Sequence, residues 1–172
     1  MRKVEVTPYN SEWNVRFEEE ASVLRRIFGP ELVTVHHIGS TSVEGLQAKP
    51  IIDIMPVVKD IEAVDAFNDQ MMAIGYEPRG ENGIPGRRYF QKGGDNRTHH
   101  IHIFQEGDPG VERHLAVRDY LRAKPEARDA YGFLKEELAE RYPHDMESYI
   151  KGKEQFVLDL EAKALEWYHS IK

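Results

Sequence analysis

The 172-residue sequence contains no cysteine. Disulfide bonds and thiolate chemistry are therefore excluded, and a reducing compartment is the expected environment. The sequence also has no apolar run near the roughly 18 residues that a membrane-spanning helix needs, and its first residues lack the apolar core of a signal peptide. We therefore expect a cytoplasmic protein with no membrane partner.

Positive charge is scarce in this chain. It has 23 Lys and Arg residues against 30 Asp and Glu, a formal net charge of −7. Broad binding of nucleic acid requires a positive surface, so this balance argues against it. Residues 84–104 depart from the trend, with four basic residues, three histidines and one acid. This segment predicts a small anionic ligand, and a solvated β-hairpin with charged edges is the alternative.

Familiar signatures of catalysis are also missing. The sequence has no Walker loop, zinc-finger spacing, HExxH motif or Ser-His-Asp order. Short strand-like runs mixed with helices come first and helices come last, which predicts an α+β fold. We expect a mixed β-sheet flanked by helices, with a helical C-terminal half. Because no linker or repeat is present, residues 1–172 are predicted to form a single domain.

Hydrophobic periodicity and turn residues locate the individual elements. Strands are predicted at 3–7, 33–38, 51–58, 76–79, 87–92 and 98–105. Helices are predicted at 12–28, 61–74, 109–123, 125–141 and, after a cap at Asp145, 146–170.

A Gly-Ser turn followed by a carboxylate-bearing strand is the most informative pattern. Gly39 and Ser40 end one apolar strand, and Asp53 lies in the middle of the next. A buried, unpaired carboxylate is costly, so Asp53 should face a cation, a donor or an open cleft. Glycine permits close backbone approach to a ligand, and Ser40 adds a hydroxyl, so a phosphate and a cation can sit together here. Alternatively, Asp53 forms an ion pair with Lys49 or Arg88.

Residues 37–54 (HIGSTSVEGLQAKPIIDI) resemble the GrpB family, a branch of the DNA polymerase beta-like nucleotidyltransferase superfamily. The resemblance continues through residues 97–102, 114–121 and 149–156, and so covers nearly the whole chain. In that superfamily the Gly-Ser turn holds a nucleotide triphosphate and neighbouring carboxylates hold two Mg²⁺ ions. The resemblance therefore implies a nucleotidyltransferase-like fold. It implies that Gly39, Ser40 and Thr41 bind phosphate and that Asp53 is a catalytic, metal-binding residue.

Met55 departs from the superfamily pattern, which has a second carboxylate at this position. Side chains alternate along a strand, so Asp53 and Met55 are expected to face the same way. A thioether is a poor ligand for Mg²⁺, which prefers oxygen. The substitution argues against nucleotidyl transfer with two metal ions.

His100 and His102 lie two residues apart on a predicted strand and should share one face. Together with Asp53 they form a possible metal site, better suited to Zn²⁺, Mn²⁺ or Fe²⁺ than to Mg²⁺. In the superfamily a further carboxylate often lies on a later strand, at a place that one of these histidines can occupy here. Alternatively, the histidines form hydrogen bonds to a phosphate.

Arg88 and Lys92 are predicted to share a strand face and to reach the phosphates held by Gly39 and Ser40. Arginine suits bidentate contact with phosphate, and lysine acts as a point charge.

Three functions remain open from the sequence. The first is a nucleotidyltransferase-fold protein that binds a nucleotide or phosphorylated metabolite with a divalent cation, Mg²⁺ or Mn²⁺, and transfers NMP to a small acceptor. The second is a non-catalytic module that binds the same ligand. The third is a metal-dependent hydrolase that uses Asp53, His100 and His102, with Zn²⁺ as a candidate at the histidine pair. Whether the protein is an enzyme is left open.

Overall fold

A computed structural model describes residues 2–172, which contain five strands in one mixed sheet. The strands are β1 (Leu32–Ile38), β2 (Ile52–Val58), β3 (Tyr76–Pro78), β4 (Arg87–Lys92) and β5 (His99–Gln105). The helices are α1 (Glu12–Phe28), α2 (Asn68–Ala73), α3 (Pro109–Ala123), α4 (Pro125–Arg141) and α5 (Met146–Ser170). The strand order is β1-β2-β5-β4-β3. The β2–β5 pair is parallel and the other neighbouring pairs are antiparallel.

One face of the sheet packs against α1. The buried positions of α1 recur at helical spacing and form a single apolar stripe. This stripe meets isoleucines of the parallel pair β2–β5 in the largest core cluster. The residues that meet are Trp13, Phe17, Ala21, Leu24 and Phe28 of the helix with Ile52, Ile54, Ile101 and Ile103 of the strands.

The opposite face of the sheet is covered by the C-terminal helices. Met55 and Phe104 of the sheet pack with Val111 and Leu115 of α3 in a second apolar cluster. Helix α5 packs along α3 and α4. In the part of the chain that the structure describes, no helix is both long and apolar enough to cross a membrane.

The predicted elements agree with the structure except at two places. Residues 3–7 do not form a strand, because their backbone bonds go to two separate places: Thr7 forms an isolated bridge with Ala48, and Val4 N donates to Pro143 O. Residues 61–74 are a 3₁₀ helix (Ile61–Phe67) that continues into α2. Ile61, Val64 and Phe67 contact the core at a spacing of three, which matches the three residues per turn of a 3₁₀ helix.

Candidate functional site

Asp53, His100 and His102 meet on the face of the sheet that turns toward the C-terminal helices. Asp53 lies opposite His100 in the parallel pair, and His102 follows two residues later on the same face. His102 Nε2 lies 2.9 Å from Asp53 Oδ1, and His100 Nδ1 lies 3.4 Å from the same oxygen. One ligand atom from each residue lies within 4.8 Å of the others. Three potential metal ligands are therefore gathered at one point.

The Asp53 carboxylate is ionised although it is largely enclosed. Burial opposes its charge, but hydrogen bonds from His100 and His102 outweigh this effect and hold the pKa of Asp53 far below its usual range. The side chain retains 26 % of its exposed surface. Asp53 is therefore a charged oxygen ligand that remains accessible from the adjoining pocket.

The donor set fits a single borderline cation such as Mn²⁺ or Zn²⁺, since it offers one carboxylate oxygen and two imidazole nitrogens. One contact opposes such an ion. Arg87 Nη1 lies 3.5 Å from His102 Nδ1. Because arginine can only donate, this contact favours the tautomer in which His102 Nε2 carries the proton shared with Asp53. When a histidine binds a metal, its second ring nitrogen carries a proton and donates a hydrogen bond. Arginine cannot accept that bond, so a cation on His102 has to displace Arg87 from this contact.

The Gly-Ser turn lies directly beside Asp53. Gly39 has φ +73°, and a Cβ at this position would lie 2.7 Å from Asp53 Oδ2. Glycine is thus required here by the approach of the Asp53 carboxylate itself. Thr41 also lines the pocket, but it is buried and its hydroxyl is 2.9 Å from His37 Nε2. The Ser40 hydroxyl accepts a hydrogen bond from a lysine of α4.

That residue, Lys135, is one of three lysines in the pocket wall. Its Nζ donates to Ser40 Oγ at 2.7 Å, and the residue is only 2 % exposed. Lys49 and Lys153 flank the ring of Tyr149, at 5.4 and 5.1 Å from its centroid. All these residues line one cavity of about 210 Å³ together with Asp53 and His100. The cavity is therefore rich in positive charge, in a protein whose net charge is −7.

Burial weakens the proton affinity of the enclosed lysines. It lowers the pKa of Lys135 well below the ordinary lysine value, and the charges of Lys153 and Lys49 add to the effect. Burial and the neighbouring Lys153 likewise lower the pKa of Lys49 to about 8. An anion in the cavity would relieve both the desolvation and the mutual repulsion of these groups.

Tyr149 adds a polar atom to the same cavity. The residue is fully buried, and its hydroxyl has no hydrogen-bond partner within residues 2–172. A buried hydroxyl without a partner is unfavourable, so a ligand that bonds to it gains binding energy.

The prediction that Arg88 and Lys92 reach this pocket is wrong. Arg88 Nε bonds to Asp65 at 2.8 Å, and Lys92 Nζ bonds to Glu20 at 2.9 Å. Phe90, which lies between them on β4, belongs to the core beneath α1. Since alternate residues of a strand share a face, Arg88 and Lys92 lie on the α1 side of the sheet. Arg87 and Tyr89 are residues of this strand that approach the histidines.

Met55 shares the face of Asp53 but does not reach the pocket. It is fully buried, and it packs with Ile38 and Phe104 beneath α3. The position of the missing second carboxylate is thus covered by a helix, which leaves Asp53 as the only carboxylate among the described residues that line the cavity.

Lys135 was not singled out from the sequence, although a local signal exists. Tyr131, Lys135 and Leu138 follow one another at the spacing of a helix face, and all three are buried. A lysine within an apolar stripe is rarely buried without a partner, so this pattern points to a special environment.

Comparison with known proteins agrees with this architecture. The model of the GrpB protein family matches residues 3–163. The chain is 51 % identical to the protein YqkA of Bacillus subtilis over 96 % of its own length, and it spans about half (48 %) of YqkA. It superposes on the crystal structure of GrpB from Enterococcus faecalis with a TM-score of 0.92 and 45 % identity, covering 95 % of this chain and 99 % of that one.

A more distant likeness concerns the fold alone. Cid1, a poly(U) polymerase, was solved in complex with a UTP analog. The superposition covers 78 % of this chain and 43 % of the Cid1 chain, with a TM-score of 0.53 and 13 % sequence identity. The predicted nucleotidyltransferase-like α+β fold is therefore confirmed.

Proposed function

The chain belongs to the GrpB family, and we propose that it binds a nucleotide or another phosphorylated metabolite together with a divalent cation. The observation that carries this proposal is the environment of Lys135, which is almost fully buried and bonded to the neutral Ser40 hydroxyl. Within residues 2–172, Lys135, Lys49 and Lys153 form no ion pair with a carboxylate. Uncompensated cations around a cavity attract an anionic ligand.

Each part of the pocket has a role in this proposal. Ser40 and the three lysines hold the phosphates, and Tyr149 contributes one further hydrogen bond. Asp53, His100 and His102 hold the cation beside them. A cation held by these residues would supply positive charge to the phosphate oxygens of the ligand.

The single carboxylate of the pocket bears on the reaction. Transfer of NMP by two metal ions relies on carboxylates that hold both ions, and Met55 lies beneath α3 instead. Binding with one cation, and slow or absent NMP transfer, is therefore the behaviour we expect. The set of two imidazoles and one carboxylate supports a second candidate function, metal-dependent hydrolysis of a phosphorylated ligand. Asp53, His100 and His102 would hold one Zn²⁺ or Mn²⁺, which would supply Lewis-acid activation of water.

Calorimetry tests the binding proposal. ATP, CTP, GTP and UTP are titrated into the wild-type protein with Mg²⁺, with Mn²⁺ and without metal. We expect nucleotide binding that strengthens with the cation, and a loss of binding of about tenfold or more in Lys135→Gln. Lys163→Gln is the matched control, because it removes a lysine charge from an exposed position of the helix α5. Equal nucleotide affinities in the wild type and Lys135→Gln would rule out this pocket as the binding site.

A further inference from the structure

A second cavity adjoins the proposed phosphate site. It has a volume of about 140 Å³ and lies where the chain enters β2, next to the loop that precedes β5. Lys49 and Ile51 line both cavities, so the two form neighbouring compartments of one cleft. None of the roles proposed above uses this second compartment.

Two arginines dominate the wall of the second cavity. Arg2 and Arg97 both line it. Burial lowers the pKa of Arg2, and the positive charge of Arg97 adds to this effect. The negative charge of Asp95, in the same wall, acts on Arg2 in the opposite direction and raises its pKa. Arg97 Nε donates to the backbone oxygen of Gly94, at 3.3 Å. The pair therefore retains donors for an anion.

The balance of charge around the cavity sets the size of that anion. Lys3 and Lys49 add two cations to the arginine pair, whereas Glu5 and Asp95 place two carboxylates in the same wall. This small excess of positive charge in an acidic protein suits one compact anionic group and disfavours a long polyanion. Arginine pairs bind phosphate and carboxylate oxygens in bidentate geometry, which makes both groups suitable ligands.

We propose that the Arg2–Arg97 cavity binds the phosphate or carboxylate of a second small molecule, beside the ligand held by Ser40 and Lys135. The identity of the first ligand rests on the proposed function, but the second site does not depend on it. Lys49 stands between the two ligands and contacts both compartments. The cleft then brings two different anions next to each other, as a protein that joins or exchanges groups between two small substrates requires.

Calorimetric titration with inorganic phosphate distinguishes the two sites. The wild type should bind two phosphates per chain. Arg97→Gln and Arg2→Gln should each weaken one of them about tenfold, and Lys135→Gln should weaken the other by a similar factor. Arg97→Lys keeps the charge and should restore part of the binding. Arg26→Gln is the control, because it removes an arginine charge from an exposed position of α1, on the other face of the sheet.

Each result has a definite meaning. A single phosphate that is lost in Lys135→Gln and unaffected by both arginine variants overturns this inference and leaves the proposed function intact. A single phosphate that responds only to the arginine variants supports this inference and rejects the proposed function. No phosphate binding at all rejects both. Where phosphate binds at the arginine-dependent site, malonate is added as a competitor. Displacement of the phosphate by malonate assigns a carboxylate ligand to this site, and failure to displace it assigns a phosphate ligand.

Discussion

The two faces of the sheet differ in how their positively charged side chains are paired. On the α1 face, Lys92 bonds to Glu20 at 2.9 Å, Tyr76 donates to the same carboxylate at 2.8 Å, and Arg88 is paired with Asp65. On the opposite face, Lys135 bonds to a neutral serine hydroxyl, and the one carboxylate of the cavity is bonded to histidines. Cations are therefore matched by acids on the first face and left unmatched around a cavity on the second.

This difference separates residues that support the fold from residues available for a ligand. A buried ion pair whose partners satisfy each other gives no reason to expect another molecule. A buried lysine without an acid is unfavourable in the free protein, and such an arrangement is typical of functional sites. The comparison also explains why basic residues that are close in sequence, such as Arg87 and Arg88, have different roles.

The largest expected effect concerns the face of the sheet that carries Asp53 and the two histidines, called here the ligand face. Part of this face is apolar, and Met55 lies there. Met55→Asp should destabilise the protein by about 3–5 kcal/mol, because it buries a carboxylate without a partner beneath α3. The same burial raises the pKa of the new carboxyl, so the loss should shrink as the pH falls and the group becomes neutral. Urea denaturation at several pH values measures this.

Met55→Leu is the control and should change the free energy of unfolding by less than about 1.5 kcal/mol. The substitution to Asp would restore the acid of the superfamily, but the covered position gives no reason to expect stronger Mg²⁺ binding. A stable Met55→Asp variant with raised Mg²⁺ affinity would show that α3 moves away from this position.

Removal of the carboxylate at the centre of the ligand face should have the next largest effect. Asp53→Ala should weaken cation-dependent nucleotide binding by more than about 100-fold, because it removes the only oxygen ligand of the three-residue site. Calorimetry with nucleotide and Mn²⁺ measures the loss. Unchanged affinity would show that Asp53 serves only to orient the histidines.

Asp53 should also make the stability of the wild type depend on pH. Its pKa in the folded protein is depressed, so its contribution is complete above the unfolded value of about 3.9 and is lost as the pH falls below it. Asp53→Asn keeps the shape of the side chain and should lack this loss. If the free energy of unfolding falls equally in both proteins as the pH is lowered, the depressed pKa of Asp53 is contradicted.

The sequence predicted most of this architecture, since hydrophobic periodicity and capping residues are local properties. It also brought Asp53 and the histidine pair to one face, because strand alternation needs only the residue numbers. It failed for Arg88 and Lys92 because alternation does not say which face meets the ligand; the buried Phe90 between them decides that. It missed Lys135 because the bond to Ser40 joins residues 95 positions apart, and only tertiary packing creates such a contact.

A matched pair of lysine substitutions tests the contrast between the faces directly. Lys135→Met should raise the stability of the free protein by about 1 kcal/mol, because it removes a buried charge that has no acid partner, and it should abolish phosphate binding at the Ser40 site. Lys92→Met should lower stability, because it leaves Glu20 without its cation, and it should not affect phosphate. Thermal denaturation and phosphate titration of both variants provide the measurement. Equal responses of the two variants would remove the distinction between the faces.

The pH dependence of Lys135 offers a second check. Its pKa is lowered in the folded protein, so the folded state binds fewer protons than the unfolded state between that value and about 10.4. The stability of the wild type should therefore rise with pH through this window. Lys135→Met should lack this rise, so the advantage of the variant should diminish at high pH.

The smallest effect concerns the contact between the Arg87 guanidinium and the His102 ring. Arg87 lies near the histidines and is anchored by the backbone oxygens of Glu81 and Asn82. Arg87→Gln removes a positive charge next to the proposed cation and frees His102 Nδ1 to donate, as a ligating histidine does. We expect the affinity for Mn²⁺ to rise about threefold to tenfold, an effect on the order of 1 kcal/mol that is typical of one nearby charge. Arg87→Lys keeps the charge and should behave like the wild type in the same metal titration. If Arg87→Gln binds Mn²⁺ no better than Arg87→Lys, the guanidinium does not oppose the cation, and His102 is a partner of Asp53 rather than a metal ligand.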